Sequence, residues 1–356
     1  MRPEFDPTVY RPRLPEDRRR FGIAFIGCGS VVRKWHLPHY QANGLHVVGL
    51  WDRDATAIEC TLKQHADLRA YESIEALLDD PAIAVVDIAT TVTGRAQLIR
   101  QALFAGKHVL AQKPLCRNAE ELIWLREAVA AAPKVQLAVN FNGRWAPPWR
   151  VSTELIRNGA IGEIIAITHL HDFSMSWQPD IERHGSPLFL LFDYMIHWAD
   201  ISLTWLANPR SVKVWAHVVT REEPAPERLT SQVAWLNFTS DDGTSVTITS
   251  VAAARRYSGH PFIVHGTRGT LRGAVDSPVS GDYVEIDDGN VVERPTLEGN
   301  WFPDGFVGSM GELLLALEEE REPEHGFRCA AQTQELILTA CKSAESGGRP
   351  FELNLL

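Results

Sequence analysis

Between Phe21 and about Asn140 the chain alternates short runs that are apolar throughout with stretches whose apolar residues recur at helical spacing. The runs at 23–26, 46–51, 84–89, 107–111 and 135–141, with a shorter one at 68–71, predict strands. The segments between them, 30–42, 55–65, 93–105 and 120–132, predict helices. Strands apolar on both faces must be covered on both, so this half reads as a doubly wound parallel sheet. After Asn140 the texture changes: a helix at 148–158 stopped by Gly159, a strand at 164–171 and a helix at 189–206. Period-two alternation then takes over at 212–219, 230–238, 245–251 and 261–264, with turn chemistry at Asp241-Asp242-Gly243 and Asp287-Asp288-Gly289. That is the pattern of a large, mostly antiparallel open sheet with one covered face, and helices at 310–320 and 330–344 close the chain. The expected class is α/β: an extended N-terminal arm over 1–20, a Rossmann domain over 21–142 and an α+β domain over 143–356.

Length supports this division, since 356 residues exceed one ordinary core and suit two. A net charge of -10 argues against nucleic acid or an anionic membrane as partner, both of which need a basic surface. No apolar run approaches the roughly 18 residues of a membrane helix. Arg18-Arg19-Arg20-Phe21 superficially matches a twin-arginine export signal, but the short apolar stretch behind it runs directly into a glycine loop without a small-residue cleavage site. The start is therefore expected to be an arm, laid on another subunit. Five scattered cysteines (Cys28, Cys60, Cys116, Cys329, Cys341) suit reduced thiols and a cytoplasmic location better than a disulfide framework.

Candidate chemistry begins at Gly27-Cys28-Gly29, directly after a strand and before a helix. The first glycine permits a tight turn and the second lets backbone approach a pyrophosphate. Ser30 and Val31 open the helix whose free N–H groups would face the phosphates. Val32 holds the third position of GxGxxG, usually Gly or Ala. Asp52 follows the second strand, where a carboxylate meets the ribose 2′-hydroxyl and repels a 2′-phosphate. Arg53 beside it can grip that phosphate instead, so NAD is the expected cofactor and NADP the second.

Ala105-Gly106-Lys107-His108-Val109-Leu110-Ala111-Gln112-Lys113-Pro114 is similar to the motif AGKHVLxEKP, and Asp193-Tyr194-Met195-Ile196-His197-Trp198-Ala199-Asp200 to DxGxHxxD. Further echoes are the segments 158–163 and 266–271. With these motifs in order, the chain resembles the glucose–fructose oxidoreductase / inositol dehydrogenase / MocA family over nearly all of residues 21–352. The resemblance implies hydride transfer between nicotinamide and a secondary hydroxyl of a sugar, polyol or glycoside, with Lys113, Asp193 and His197 catalytic and Thr90 and Lys113 near the cofactor. It also implies a second domain that binds substrate and joins subunits into a homodimer or homotetramer. The residues themselves agree with this chemistry. Asp193 and His197, four apart on a helix, share a face, so the carboxylate can orient an imidazole base. Lys113 ends a parallel strand, the edge where open α/β sheets bind ligands, and an ammonium there stabilises alkoxide character.

Three departures from the family pattern bear on the substrate. Gln112 replaces the usual glutamate; Ala89-Thr90-Thr91-Val92-Thr93-Gly94-Arg95 stands for ATPPxxH without its prolines or histidine; and the usual glycine-rich run before the Asp/His helix is His184-Gly185-Ser186-Pro187-Leu188-Phe189. The family also includes enzymes that cleave glycosides by transient oxidation and elimination. A non-catalytic NAD(H)-binding regulator is a third reading, although it would need none of the three catalytic residues. Further substrate-site candidates are Arg144, which in the bland reading forms an interdomain salt bridge, and His171, which shares a strand face with His169. Trp177 completes that set; with Trp145, Trp149 and Trp301 it offers an aromatic face for a sugar ring. No recognised metal-ligand spacing occurs, and no metal is expected.

Overall fold

The computed structural model describes residues 11–173, 186–206, 209–220, 233–252, 254 and 259–355. Five apolar runs and one short exposed segment form strands β1 (Ile23–Ile26), β2 (Val47–Trp51), β3 (Arg69–Ala70, the exposed one), β4 (Val85–Ile88), β5 (His108–Ala111) and β6 (Leu137–Val139). They pair in parallel in the order β3-β2-β1-β4-β5-β6, the Rossmann arrangement. Helices α1 (Leu37–Ala42), α2 (Ala55–Leu62), α3 (Ile74–Leu78), α4 (Arg95–Phe104) and α5 (Ala119–Ala131) make the crossovers. Three of them start on side-chain caps: Asp54, Ser73 and Asn118 accept hydrogen bonds from N–H groups of the first turn. The short α3 escaped the sequence pattern because five residues are too few to show a helical period.

The turn after β1 departs from the uniform helix expected over 30–42. Val32–His36 is π-helical and only then does the chain settle into α1. Val32, in the position where a small residue usually packs, opens this wider turn and is buried in the core.

One compact unit consists of Pro12–Asn142 and Phe302–Ala331. Helix α8 (Trp301–Glu318), whose backbone breaks at Phe302, places Phe306, Met310, Leu313 and Leu314 in the same core as Ile23, Phe25, Val85 and Leu110. Burying such side chains stabilises by about 1.5–3 kcal/mol apiece, enough to hold the helix on this unit. Of the expected arm, residues 1–10 lie outside the described residues, and Arg13 and Leu14 lie against this unit. Leu14 packs against the core, and a Cβ on Gly311 would lie 2.3 Å from the Arg13 carbonyl oxygen.

The other unit is built on Gly143–Trp301 and Gln332–Leu356. Helices α6 (Pro147–Arg157) and α7 (Ile196–Trp205) precede and follow β7 (Ile164–Asp172), and α9 (Phe327–Glu345) lies near the end of the chain. The strands β8 (Ser211–Val219), β9 (Val233–Ser240), β10 (Ser245–Val251), β11 (His260–Gly266), β12 (Thr270–Val275), β13 (Tyr283–Asp287), β14 (Val292–Glu293) and β15 (Phe351–Asn354) complete it. Their order is β14-β13-β12-β11-β7-β10-β9-β8-β15, antiparallel except where β7 meets β10. Inward positions such as Val214, Leu236, Ile248 and Val264 are fully buried, alternating with outward Trp215, Trp235, Thr249 and Ile263. The last four strands lay beyond the alternation noted in the sequence. β14 has two residues, β15 has four, and only five residues form β13, so each is too short to show a clear period.

Candidate active site

The glycine loop has the geometry that backbone-to-phosphate contact requires. Gly27 adopts φ +104°, and a Cβ there would meet the Ala89 carbonyl oxygen at 2.8 Å. At Gly29 a Cβ would meet nothing within 4 Å, so the loop's backbone borders open space on that side. Ser30 and Val31 begin the helix and are exposed. Asp52 braces the loop: one carboxylate oxygen accepts from Cys28 N–H at 2.6 Å and the other from Asp54 N–H at 2.9 Å. Each oxygen has a second lone pair, so a ribose hydroxyl can still donate to it. Arg53 is exposed beside it. Cys28 is not a nucleophile; burial, reinforced by Asp52, pushes its thiol up to about 12. These residues fit a dinucleotide: a turn only glycine tolerates, an unobstructed backbone and a carboxylate at the end of β2.

Lys113 lies two residues beyond the end of β5, joined to Pro114 by a cis peptide. Behind it lies a buried polar network that sequence reasoning missed. His36 Nδ1 stands 2.8 Å from Asp87 Oδ2, to which the Tyr40 hydroxyl also donates at 3.0 Å. The other ring nitrogen of His36 faces the side-chain nitrogen of Gln112 at 3.0 Å. His36 and Asp87 are wholly buried. The signal was available in Asp87, a charge inside an otherwise apolar strand. Arg95, also buried, donates through Nη1 to the carbonyls of Gln112 (2.9 Å) and Pro114, and through Nη2 to that of Thr90.

In the other unit a second π-helical turn, Leu190–Tyr194, carries Asp193, and His197 lies in the first turn of α7. The expected uniform helix is thus locally widened between the two residues, which π turns at functional sites commonly do. Asp193 is buried and His197 half-buried. Gly143 gives the Trp149 ring its room, since a Cβ there would lie 2.8 Å from that ring, while His197 Nδ1 would be at an ordinary contact distance of 3.6 Å. Trp301 packs edge-on to His197 with ring centres 5.5 Å apart, and also contacts Trp149 and Trp198.

Two substrate candidates change character. Arg144 makes a bidentate pair with Asp200, Nε to Oδ2 at 2.7 Å and Nη2 to Oδ1 at 2.6 Å, both side chains buried. Asp200, the last residue of the Asp/His motif, also accepts from Thr333 at 3.1 Å. The pair lies within one unit and is not the interdomain bridge of the bland reading, because Arg144 and the helix bearing Asp200 share a core. His171 is 2% exposed, bonded to Ser250 at 3.0 Å and stacked on Trp198 at 4.0 Å, so it is part of an aromatic core. His169 is likewise buried, and desolvation lowers it to about 3. Trp145, Trp149 and Trp301 are buried, and Trp177 lies outside the described residues. Among the described residues no group of three or more His, Cys, Asp or Glu is arranged to hold a metal ion.

A glycine loop on β1, a carboxylate after β2 and a lysine after β5 of a Rossmann sheet define a dinucleotide-dependent oxidoreductase. Comparison with known proteins agrees. Residues 21–141 match the model of an oxidoreductase family with an NAD-binding Rossmann fold, and residues 149–272 match the GFO/IDH/MocA C-terminal domain. The D-apiose dehydrogenase of Paraburkholderia graminis is 31% identical over 72% of this chain and 68% of its own. An inositol 2-dehydrogenase of Leifsonia xyli is 28% identical, over 45% of this chain and 46% of its own. An oxidoreductase from Agrobacterium radiobacter, solved with NAD+, L-tartaric acid and magnesium, superposes with a TM-score of 0.80 at 21% identity, covering 94% of this chain and 98% of that one. The chain belongs to the glucose–fructose oxidoreductase / inositol dehydrogenase / MocA family and is an NAD(P)-dependent oxidoreductase.

Proposed function

We propose that the protein oxidises a secondary hydroxyl of a sugar or polyol reversibly with NAD, using Lys113, Asp193 and His197. The observation that carries this is the retention of all three residues, with Lys113 at the carboxyl end of β5 and His197 at the start of α7. In the oxidation His197 takes the hydroxyl proton, Asp193 orients its imidazole and Lys113 donates a hydrogen bond to the developing alkoxide. The substrate C–H bond breaks as hydride leaves, and the carbinol carbon becomes a ketone. Bound nicotinamide supplies the two-electron acceptor. Relatives named D-apiose dehydrogenase, inositol 2-dehydrogenase and levoglucosan dehydrogenase support a carbohydrate-like substrate. Asp52 supports NAD over NADP, since its carboxylate repels a 2′-phosphate.

The direct test pairs Lys113→Ala and His197→Ala with a sugar and polyol panel followed at the NADH absorbance. Each variant is expected to keep NAD+ affinity within about threefold and lose at least about a hundredfold in kcat. Near-native turnover in both would refute the assignment. We also propose a homodimer or homotetramer joined through the outward face of the nine-stranded sheet, where Trp215 and Trp235 stand among threonines. The five cysteines, all thiols in the structure, suit the reducing cytoplasm.

A further inference from the structure

Resting on the reading of Lys113 as catalytic, we propose that Arg95, together with the His36–Gln112 pair, positions Lys113 by fixing the backbone on both sides of it. Lys113 lies between Gln112 and Pro114, and the Arg95 guanidinium accepts no hydrogen bond but donates to both of their carbonyls. The same guanidinium donates to the Thr90 carbonyl, so one buried side chain ties the loop after β4 to the loop after β5. Those loops carry the two residues, Thr90 and Lys113, that the family resemblance sets near the cofactor.

The second anchor comes from the opposite direction. Asp87 accepts from the Tyr40 hydroxyl and faces His36 Nδ1, which therefore carries a hydrogen toward the carboxylate. The Gln112 amide nitrogen, which can only donate, faces His36 Nε2 at 3.0 Å, so Nε2 is the acceptor of that hydrogen bond. An ionised glutamate, usual at this position in the family, has no hydrogen to give.

Two of the three departures noted in the sequence thus belong to one construction. Thr91 and Val92 stand where the family has prolines that stiffen the loop, and Arg95 stands where it has a histidine. A guanidinium can span three carbonyls across two loops, which an imidazole with two ring nitrogens cannot. Gln112 likewise supplies the N–H that His36 Nε2 accepts. Misplacing a reacting group by about 1 Å can cost about a hundredfold in rate, so these braces bear on function without touching substrate.

The test reads the position of the Lys113 amine without needing the substrate. Full-length protein is labelled with acetic anhydride, with and without saturating NAD+, and acetylation of Lys113 is followed by mass spectrometry. NAD+ affinity and thermal midpoint are measured alongside. In the native protein NAD+ is expected to slow Lys113 labelling about fivefold or more. In Arg95→Lys that protection should fall below about twofold, with NAD+ affinity within about threefold of native. Gln112→Ala, which removes the His36 link and spares Arg95, should lose protection in the same way and serves if Arg95→Lys does not fold. Native-like protection in a folded variant of either kind overturns the proposal while leaving the Lys113 assignment intact. Absence of protection in the native protein overturns this proposal as well, and then turnover of Lys113→Ala decides whether Lys113 is catalytic at all.

Discussion

His169 shows how burial alone changes what a residue does. It is enclosed by Trp149, Trp205 and Phe262, and desolvation lowers it from 6.5 to about 3. The folded chain holds it neutral, whereas the unfolded chain protonates it below about pH 6.5. Its contribution to stability is therefore complete above that value and is lost as pH falls from 6.5 toward 3. His260, lowered to about 4 for the same reason, acts with the same sign over a narrower window. A His169→Phe variant, filling the space without a titratable group, should show a smaller drop in unfolding temperature between about pH 7 and pH 5 than the native protein. Equal drops would mean that His169 is not excluded from protonation in the fold. Residue type alone could not show that this histidine and His171 are buried, since alternation put both on one face and only the covering helices decided how far that face is enclosed. Arg144 is a parallel case: its guanidinium suited substrate, cofactor or ion pair equally, and Asp200 became its partner through packing of segments 56 positions apart.

At the scale of elements, both π-helical turns among the described residues fall beside candidate-site residues. The turn Val32–His36 follows the glycine loop and ends on the histidine of the buried network, and Leu190–Tyr194 carries Asp193 and precedes His197. A widened turn changes the angle between residues on either side of it, so the i, i+4 argument identified the Asp/His pair without defining its geometry. The short segment Asn142–Trp145 is instead a tight 3-10 turn, with Gly143 leaving room for the Trp149 ring. Gly143→Ala would press a methyl against an indole that is itself fully buried. The expected result is a stability loss of about 1–3 kcal/mol by chemical denaturation, with kcat lowered and NAD+ affinity retained. A variant with native stability and turnover would show that this glycine is not sterically required. Strands and most helices of the Rossmann sheet were legible because each is a local apolar pattern bounded by caps and glycines.

For the whole molecule, the nine-stranded sheet leaves an outward face bearing Trp235, 36% exposed and stacked on His217 with ring centres 6.1 Å apart. If this face joins subunits, light scattering at micromolar concentration should give the mass of two or four chains, and Trp235→Glu should shift it toward one. A native protein that scatters as a single chain would remove the proposal. The glycine turn, the order of strands and helices in the first sheet, and the motifs around Lys113 and His197 were determined by sequence alone, because apolar period, chain reversal and residue spacing are properties of neighbours along the chain. Tertiary structure decided that α8 packs in the core of the Rossmann unit, that Asp200 pairs with Arg144, and that Arg95 and His36 meet the residues flanking Lys113. Those outcomes depend on hydrogen bonds and apolar contacts between segments far apart in sequence, whose partners exist only once the chain has closed on itself.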